Sequence, residues 1–161
     1  VVSKANEFNR HIIWTSPSGF KVVHYYNRVN TRRSLAKLFN SKELIFFVHT
    51  DDVETRDALQ AIAPNFIHSI DAAHMFLCID LMVKCGIMDL CMIHDSFGCH
   101  PNHVDIMRNI IREVFFEIHK DNLLETFKKE VELQLGIKLP PVPKTGSLDL
   151  SLVLKSEYFF A

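Results

Sequence analysis

Residues 90–99 read Leu90-Cys91-Met92-Ile93-His94-Asp95-Ser96-Phe97-Gly98-Cys99. Two short apolar or small runs flank one histidine and one carboxylate, which predicts a β-hairpin with His94-Asp95 at its bend. A carboxylate inside such a run is expensive to bury unless it is paired, hydrogen-bonded or metal-bound. Magnesium takes one or two protein carboxylates plus substrate phosphates, so a turn-borne Asp95 suits half of such a site. The same residues also read as a tight turn whose aspartate caps backbone amides, with His94 an ordinary histidine. On this stretch alone the capped turn is the favoured reading, because His-Asp pairs at turns are common.

Working upstream, Ala63-Pro64-Asn65-Phe66-Ile67-His68-Ser69-Ile70-Asp71-Ala72-Ala73-His74 is the second constellation. Pro64 predicts the first turn of a helix reaching about Lys84, with Gly86 as its cap. Helical spacing puts Asn65, His68, Ser69 and Ala72 on one face, with Asp71 and His74 on its flank. Asn and His offer both donors and acceptors, which suits sugar and minor-groove edges. Taken alone, the pattern is better explained by a solvated face with a local Asp71–His74 pair. A separate helix is expected from Asp51-Asp52 to just before Pro64. Residues 1–50 read as strands and turns, around the turn cluster Thr15–Gly19 and the β-rich runs Phe20–Tyr26 and Leu44–His49. Arg28, Arg32, Arg33 and Lys37 form one basic cluster, open to phosphates or to the role of a plain polar edge strand.

Downstream, Val104, Met107, Ile111, Val114 and Ile118 predict an amphipathic helix. Leu123, Phe127, Val131 and Leu135 predict another, closed by Gly136. Prolines at 140, 141 and 143 predict an extended linker over residues 139–147. The aromatic end, Tyr158-Phe159-Phe160, is expected to dock onto the body.

The chain has 161 residues, 48% hydrophobic and 23% charged, with net charge -1. That composition fits one compact domain and excludes a disordered tail, a collagen-like chain or a repeat array. No global basic field marks a nucleic-acid partner. Cys78, Cys85, Cys91 and Cys99 lack a CxxC spacing, so zinc and a disulfide framework are both disfavoured and a reducing compartment fits better. Asp80, Lys84 and Asp89 interrupt the apolar stretch Met75–Ile93, so no membrane span is expected. The chain opens on Val1, which reads as a processed start or a piece of something longer.

In order along the chain, these motifs resemble the C-terminal end of the single-subunit, bacteriophage-type DNA-directed RNA polymerases. That family includes mitochondrial enzymes and those encoded by mitochondrial linear plasmids. The resemblance rests on Trp14–Phe20, on Ala63–Ser69 with Asp71 and His74, and on Ile93–Gly98. It continues through Pro140, Pro143, Gly146, Leu148 and Leu150 to Phe159-Phe160-Ala161, and is weak over residues 27–55.

The resemblance implies an α+β fold: a single partial domain over residues 1–161, the palm/fingers portion of a right-hand polymerase. It implies that Asp95 is one of two carboxylates holding Mg2+ for nucleotidyl transfer, and that His94 supports the turn. It implies that Asn65, His68 and Ser69 face the nascent base pair, and that Phe160 and Ala161 pack near the active centre. The implied partners are template DNA, nascent RNA, ribonucleoside triphosphates and the remainder of the polymerase chain, with no membrane. The implied compartment is the mitochondrion. The family's second catalytic aspartate motif and its lysine/tyrosine helix are not found in residues 1–161, so the chain alone is expected not to polymerise RNA. The competing expectations are a non-catalytic remnant and a His-Asp metal-dependent phosphohydrolase.

Overall fold

The computed structural model describes residues 1–36 and 42–159. Its mixture of helices and two-stranded antiparallel sheets is α+β, as expected. Contacts group the chain into two compact units: residues 1–12 with 23–63, and residues 13–22 with 64–161.

The first unit opens on a helix the sequence reading did not contain, α1 (Val2–Glu7). Six residues cannot hold a helix by propensity. Burial of Val2 and Ala5, three positions apart, supplies what propensity lacks. Next, β3 (Asn27–Ala36) pairs antiparallel with β4 (Lys42–Val53) in a register running from Val29↔His49 to Ala36↔Lys42. The run Leu44–His49 is therefore part of a longer strand, and Leu44, Ile45, Phe46, Phe47 and Val48 all stay exposed. Asn9 clasps the far end of β4, its side chain donating to the Asp51 carbonyl at 3.2 Å and accepting from the Val53 amide at 3.0 Å. Arg28 and Arg33 sit on β3 and pair with Glu54 and Glu43 at 3.5 and 3.7 Å, while Lys37 lies outside the described residues.

Helix α2 (Thr55–Lys84) corrects the expected division into two helices. Asp51 and Asp52 belong to β4, and the helix runs through Pro64. The missing amide of Pro64 removes one helical hydrogen bond. Continuity is held beyond it by a buried stripe, Ile70, His74, Cys78 and Met82, repeating every four residues. At its end, Gly86 takes φ +82°, its amide meets the Val83 carbonyl at 2.9 Å, and the Ile87 amide meets that of Met82 at 3.0 Å. This pair of bonds closes the helix in the manner its glycine predicts.

The second unit holds the core. Strands β1 (Ile12–Thr15) and β2 (Lys21–His24) form a hairpin about the turn at Ser16–Gly19. Hairpin β5 (Leu90–Ile93) and β6 (Ser96–Cys99) follows α2, then α3 (Val104–His119) and α4 (Leu123–Leu135). On α3 the buried residues are Met107, Ile110, Ile111, Val114 and Ile118; Val104 is exposed, and Ile110 takes its place in the core. Asn122 caps α4 by accepting from the Glu125 amide at 3.1 Å, and Gly136 ends it in the left-handed conformation. Residues 137–149 carry no helix or strand, as the prolines require. A 3-10 helix at Leu150–Lys155 precedes the tail, which docks on α3. There Arg108 donates to the Glu157 carbonyl at 2.8 Å, and the Phe159 ring meets Phe115 at 4.8 Å.

Candidate active-site hairpin

The hairpin is built from its register upward. Leu90 faces Cys99, Cys91 faces Gly98, Met92 faces Phe97 and Ile93 faces Ser96, which leaves His94 and Asp95 as the two-residue bend. His94 sits at φ +53°, a conformation side-chain-bearing residues rarely adopt. A Cβ on Gly98 would lie 3.2 Å from the Cys91 carbonyl oxygen, so the strands approach as they do only because that side chain is absent.

One face of the hairpin is anchored. Leu90, Met92, Phe97 and Cys99 pack against the core of α2 and α3. Phe97 lies edge-on to His74 of α2, with ring centroids 5.6 Å apart. The His74 ring is buried, bonds to the Ile111 carbonyl at 2.9 Å, and has Phe115 on another side at 5.8 Å. Burial pushes its pKa below the usual histidine value of 6.5, against the opposing effect of the Ile111 hydrogen bond. The expected local pair with Asp71 is therefore replaced: Asp71 is exposed and acts on His74 only as a weak distant charge. The signal was present in the sequence, since His74 continues the four-residue spacing of Ile70, Cys78 and Met82.

With the hairpin seated, both bend residues point to solvent. His94 and Asp95 are exposed, and among the described residues no ion pair or hydrogen bond engages the Asp95 carboxylate. A free, rigidly carried carboxylate is the hard oxygen donor magnesium prefers. It is a single donor: among the described residues no group of three His, Cys, Asp or Glu side chains comes together for a metal. The donor chemistry fits a shared magnesium site and does not fit a self-contained transition-metal centre.

Asn65, His68 and Ser69 lie upstream of His74 on α2, His68 by about 9 Å along the axis at 1.5 Å per residue. His68 is exposed, and Asn65 and Ser69 are half-buried. The Ser69 hydroxyl is held by structure: it accepts from the Trp14 indole at 2.9 Å and donates to the Phe66 carbonyl at 2.6 Å. Phe160 and Ala161 lie outside the described residues.

A family model for DNA-dependent RNA polymerase matches residues 2–138. The chain belongs to this family of polymerases. It is 38% identical over 159 residues to DNA-directed RNA polymerase 1, mitochondrial, of Arabidopsis thaliana, covering 94% of this chain and 15% of that protein. DNA-directed RNA polymerase 2, chloroplastic/mitochondrial, of the same plant is also 38% identical, with 15% of its length covered. DNA-directed RNA polymerase 1A of Nicotiana tabacum is 35% identical over 156 residues, with 94% of this chain and 96% of that protein covered. This polymerase chain thus spans about one seventh of the length of the Arabidopsis relatives, and the matched 2–138 contain the whole β5–β6 hairpin.

Proposed function

We propose that the chain serves DNA-templated RNA synthesis as the segment of a single-subunit polymerase palm that carries one metal-binding aspartate, Asp95. The observation that carries this reading is the exposed, unpaired Asp95 carboxylate at the bend of an anchored hairpin. Asp95 would hold Mg2+ jointly with substrate phosphates and a second carboxylate from elsewhere in the polymerase. When bound, the metal pair would lower the charge cost at the attacking 3′-hydroxyl and at the departing pyrophosphate.

The chain's own residues do the placing. His94, at positive φ, fixes the sharp reversal that turns Asp95 outward. Phe97 and His74 hold the hairpin against α2 and α3, so the carboxylate keeps its position as charge moves past it. Asn65 and His68 offer hydrogen-bonding groups to the ribose or minor-groove side of the nascent pair. Ser69, bonded to Trp14, sets the rotation of that face. Template DNA, nascent RNA, ribonucleoside triphosphates and the remaining polymerase chain are the partners, and the mitochondrion is the compartment. Helix α2 is long and apolar enough to cross a membrane, contrary to the expectation from the sequence; this reading instead uses it as a core helix, with Ile70, Cys78 and Met82 turned into the protein's own core. The phosphohydrolase reading loses its ground with the missing ligand set among the described residues.

The test is a chimera in which residues 2–138 replace the matching segment of the Arabidopsis mitochondrial enzyme. Primer extension should survive the exchange. Asp95→Asn should then lower the extension rate by about 10³-fold, roughly 4 kcal/mol of barrier, with template affinity unchanged. Extension by the Asn variant at the parent rate would refute the assignment.

A further inference from the structure

The second unit contains a cavity of about 600 Å³ between α2, α3, α4 and the β1–β2 turn, built, Ser69 and Trp14 apart, from residues to which the proposed function gives no role. Its size is that of a small-molecule site. The floor is aromatic and aliphatic: Trp14, Phe66 and Phe127 form a cluster with ring centroids 4.8 to 6.1 Å apart, continued by Leu77 and Ile118.

The rim has one sign of charge. Asp80, Glu113, Glu117, Asp121 and Glu130 all line it, and no basic side chain does. Lys84 neutralises Asp80 from the next turn of α2, and Lys120 pairs with Glu117. Glu130 accepts from the Thr15 amide at 2.7 Å and pairs with no cation among the described residues. Glu113 has no ion pair or hydrogen bond among the described residues. Lys120 also acts on Asp121, so Glu113 and Glu130 are the carboxylates that leave the rim negative above an apolar floor.

We propose that this cavity binds a small organic cation, an amine or quaternary ammonium with an aromatic or alkyl body. The body fills the floor and the charged head meets the rim. The apolar floor takes the body by burial, and the rim carboxylates attract the charged head. The same rim repels phosphates.

Trp14 is the only tryptophan in the sequence and lines the cavity, so its emission reports occupancy directly. The 161-residue chain is titrated with 4-phenylbutylammonium and, separately, with 4-phenylbutanoate, which share a body and differ in charge. The ammonium should give a saturable Trp14 response with at least tenfold tighter Kd than the carboxylate, and the gap should shrink as salt rises. Glu113→Gln, at an exposed position, should weaken the ammonium several-fold and leave the circular dichroism spectrum unchanged. Leu81→Arg, which brings its own guanidinium to the cavity, should abolish the response. Equal affinity for the two probes, no saturable response, or an unaltered Kd in Glu113→Gln would each overturn the proposal.

Discussion

The His74 imidazole and the Ile111 carbonyl meet at 2.9 Å inside the second unit, joining α2 to α3 beneath the hairpin that carries Asp95. The ring has to donate to that carbonyl, which a neutral imidazole does through Nε2. The same buried position disfavours the imidazolium, so the folded chain holds His74 neutral to lower pH than the unfolded chain does.

The sign of the pH dependence follows. Below the ordinary value of 6.5 the unfolded chain binds a proton that the folded chain resists. The stability from His74 is present above that pH and is lost as pH falls through the lower folded value. Urea unfolding of the parent and of His74→Gln at pH 7.5, 6.5 and 5.5 isolates the effect. The Gln variant should be less stable by about 1–2 kcal/mol at pH 7.5, and the difference should narrow at pH 5.5. A constant difference across the three pH values would show that the ring titrates as in the unfolded chain.

Cys78 and the exposed Cys85 and Cys91 should react very differently. Cys78 is fully buried on α2, and burial pushes its thiol pKa up to about 12. At pH 8 only about one Cys78 in 10⁴ is thiolate, and the thiolate is the nucleophile. Iodoacetamide followed by peptide mass mapping should label Cys85 and Cys91 within minutes and leave Cys78 unmodified until denaturant is added. Labelling of all three at one rate in native buffer would mean that α2 does not hold its core face.

Gly98 is the tightest point of the hairpin. A methyl group there would press on the Cys91 carbonyl oxygen at 3.2 Å. That oxygen belongs to the backbone of the paired strand, so relief requires the strand to give by a few tenths of an ångström. Gly98→Ala should destabilise the chain by about 1–3 kcal/mol, and it should raise amide exchange at Ile93 and Ser96. Unchanged exchange at those two amides would show that the strands yield without cost.

The parts of this fold that could be read in the sequence are those where one strong local rule acts alone. The bend at His94-Asp95, the stop at Gly136 and the stripe of α3 each follow from a turn, a cap or a helical period that no distant contact opposes. The readings fail where distant contacts decide. Pro64 signals a break, yet α2 continues through it. Val2 and Ala5 carry too short a pattern to announce α1, which exists through what they are buried against. At the hairpin, the place of Asp95 in the bend was legible because an acid in an apolar run is conspicuous. The burial of His74 could be read from its spacing, but not its partner, because Ile111 lies 37 residues away. Ser69 looked like a ligand-facing hydroxyl for the same reason: nothing local shows that Trp14, 55 residues earlier, takes it.

His94 offers a test in which stability and function should separate. At φ +53° its side chain costs about 1–2 kcal/mol relative to glycine, strain placed beside the carboxylate proposed to hold the metal. His94→Gly should raise the unfolding free energy by about 1 kcal/mol while letting the bend sample more conformations. In the Arabidopsis chimera that looser bend should slow primer extension by about tenfold or more, because a carboxylate misplaced by an ångström loses its hold on the reacting groups. His94→Asn, which tolerates positive φ, should keep the bend and recover most of the rate. If the Gly variant extends primers as fast as the parent, the histidine is there for neither geometry nor contact, and the rigidity assigned to this hairpin is not what positions Asp95.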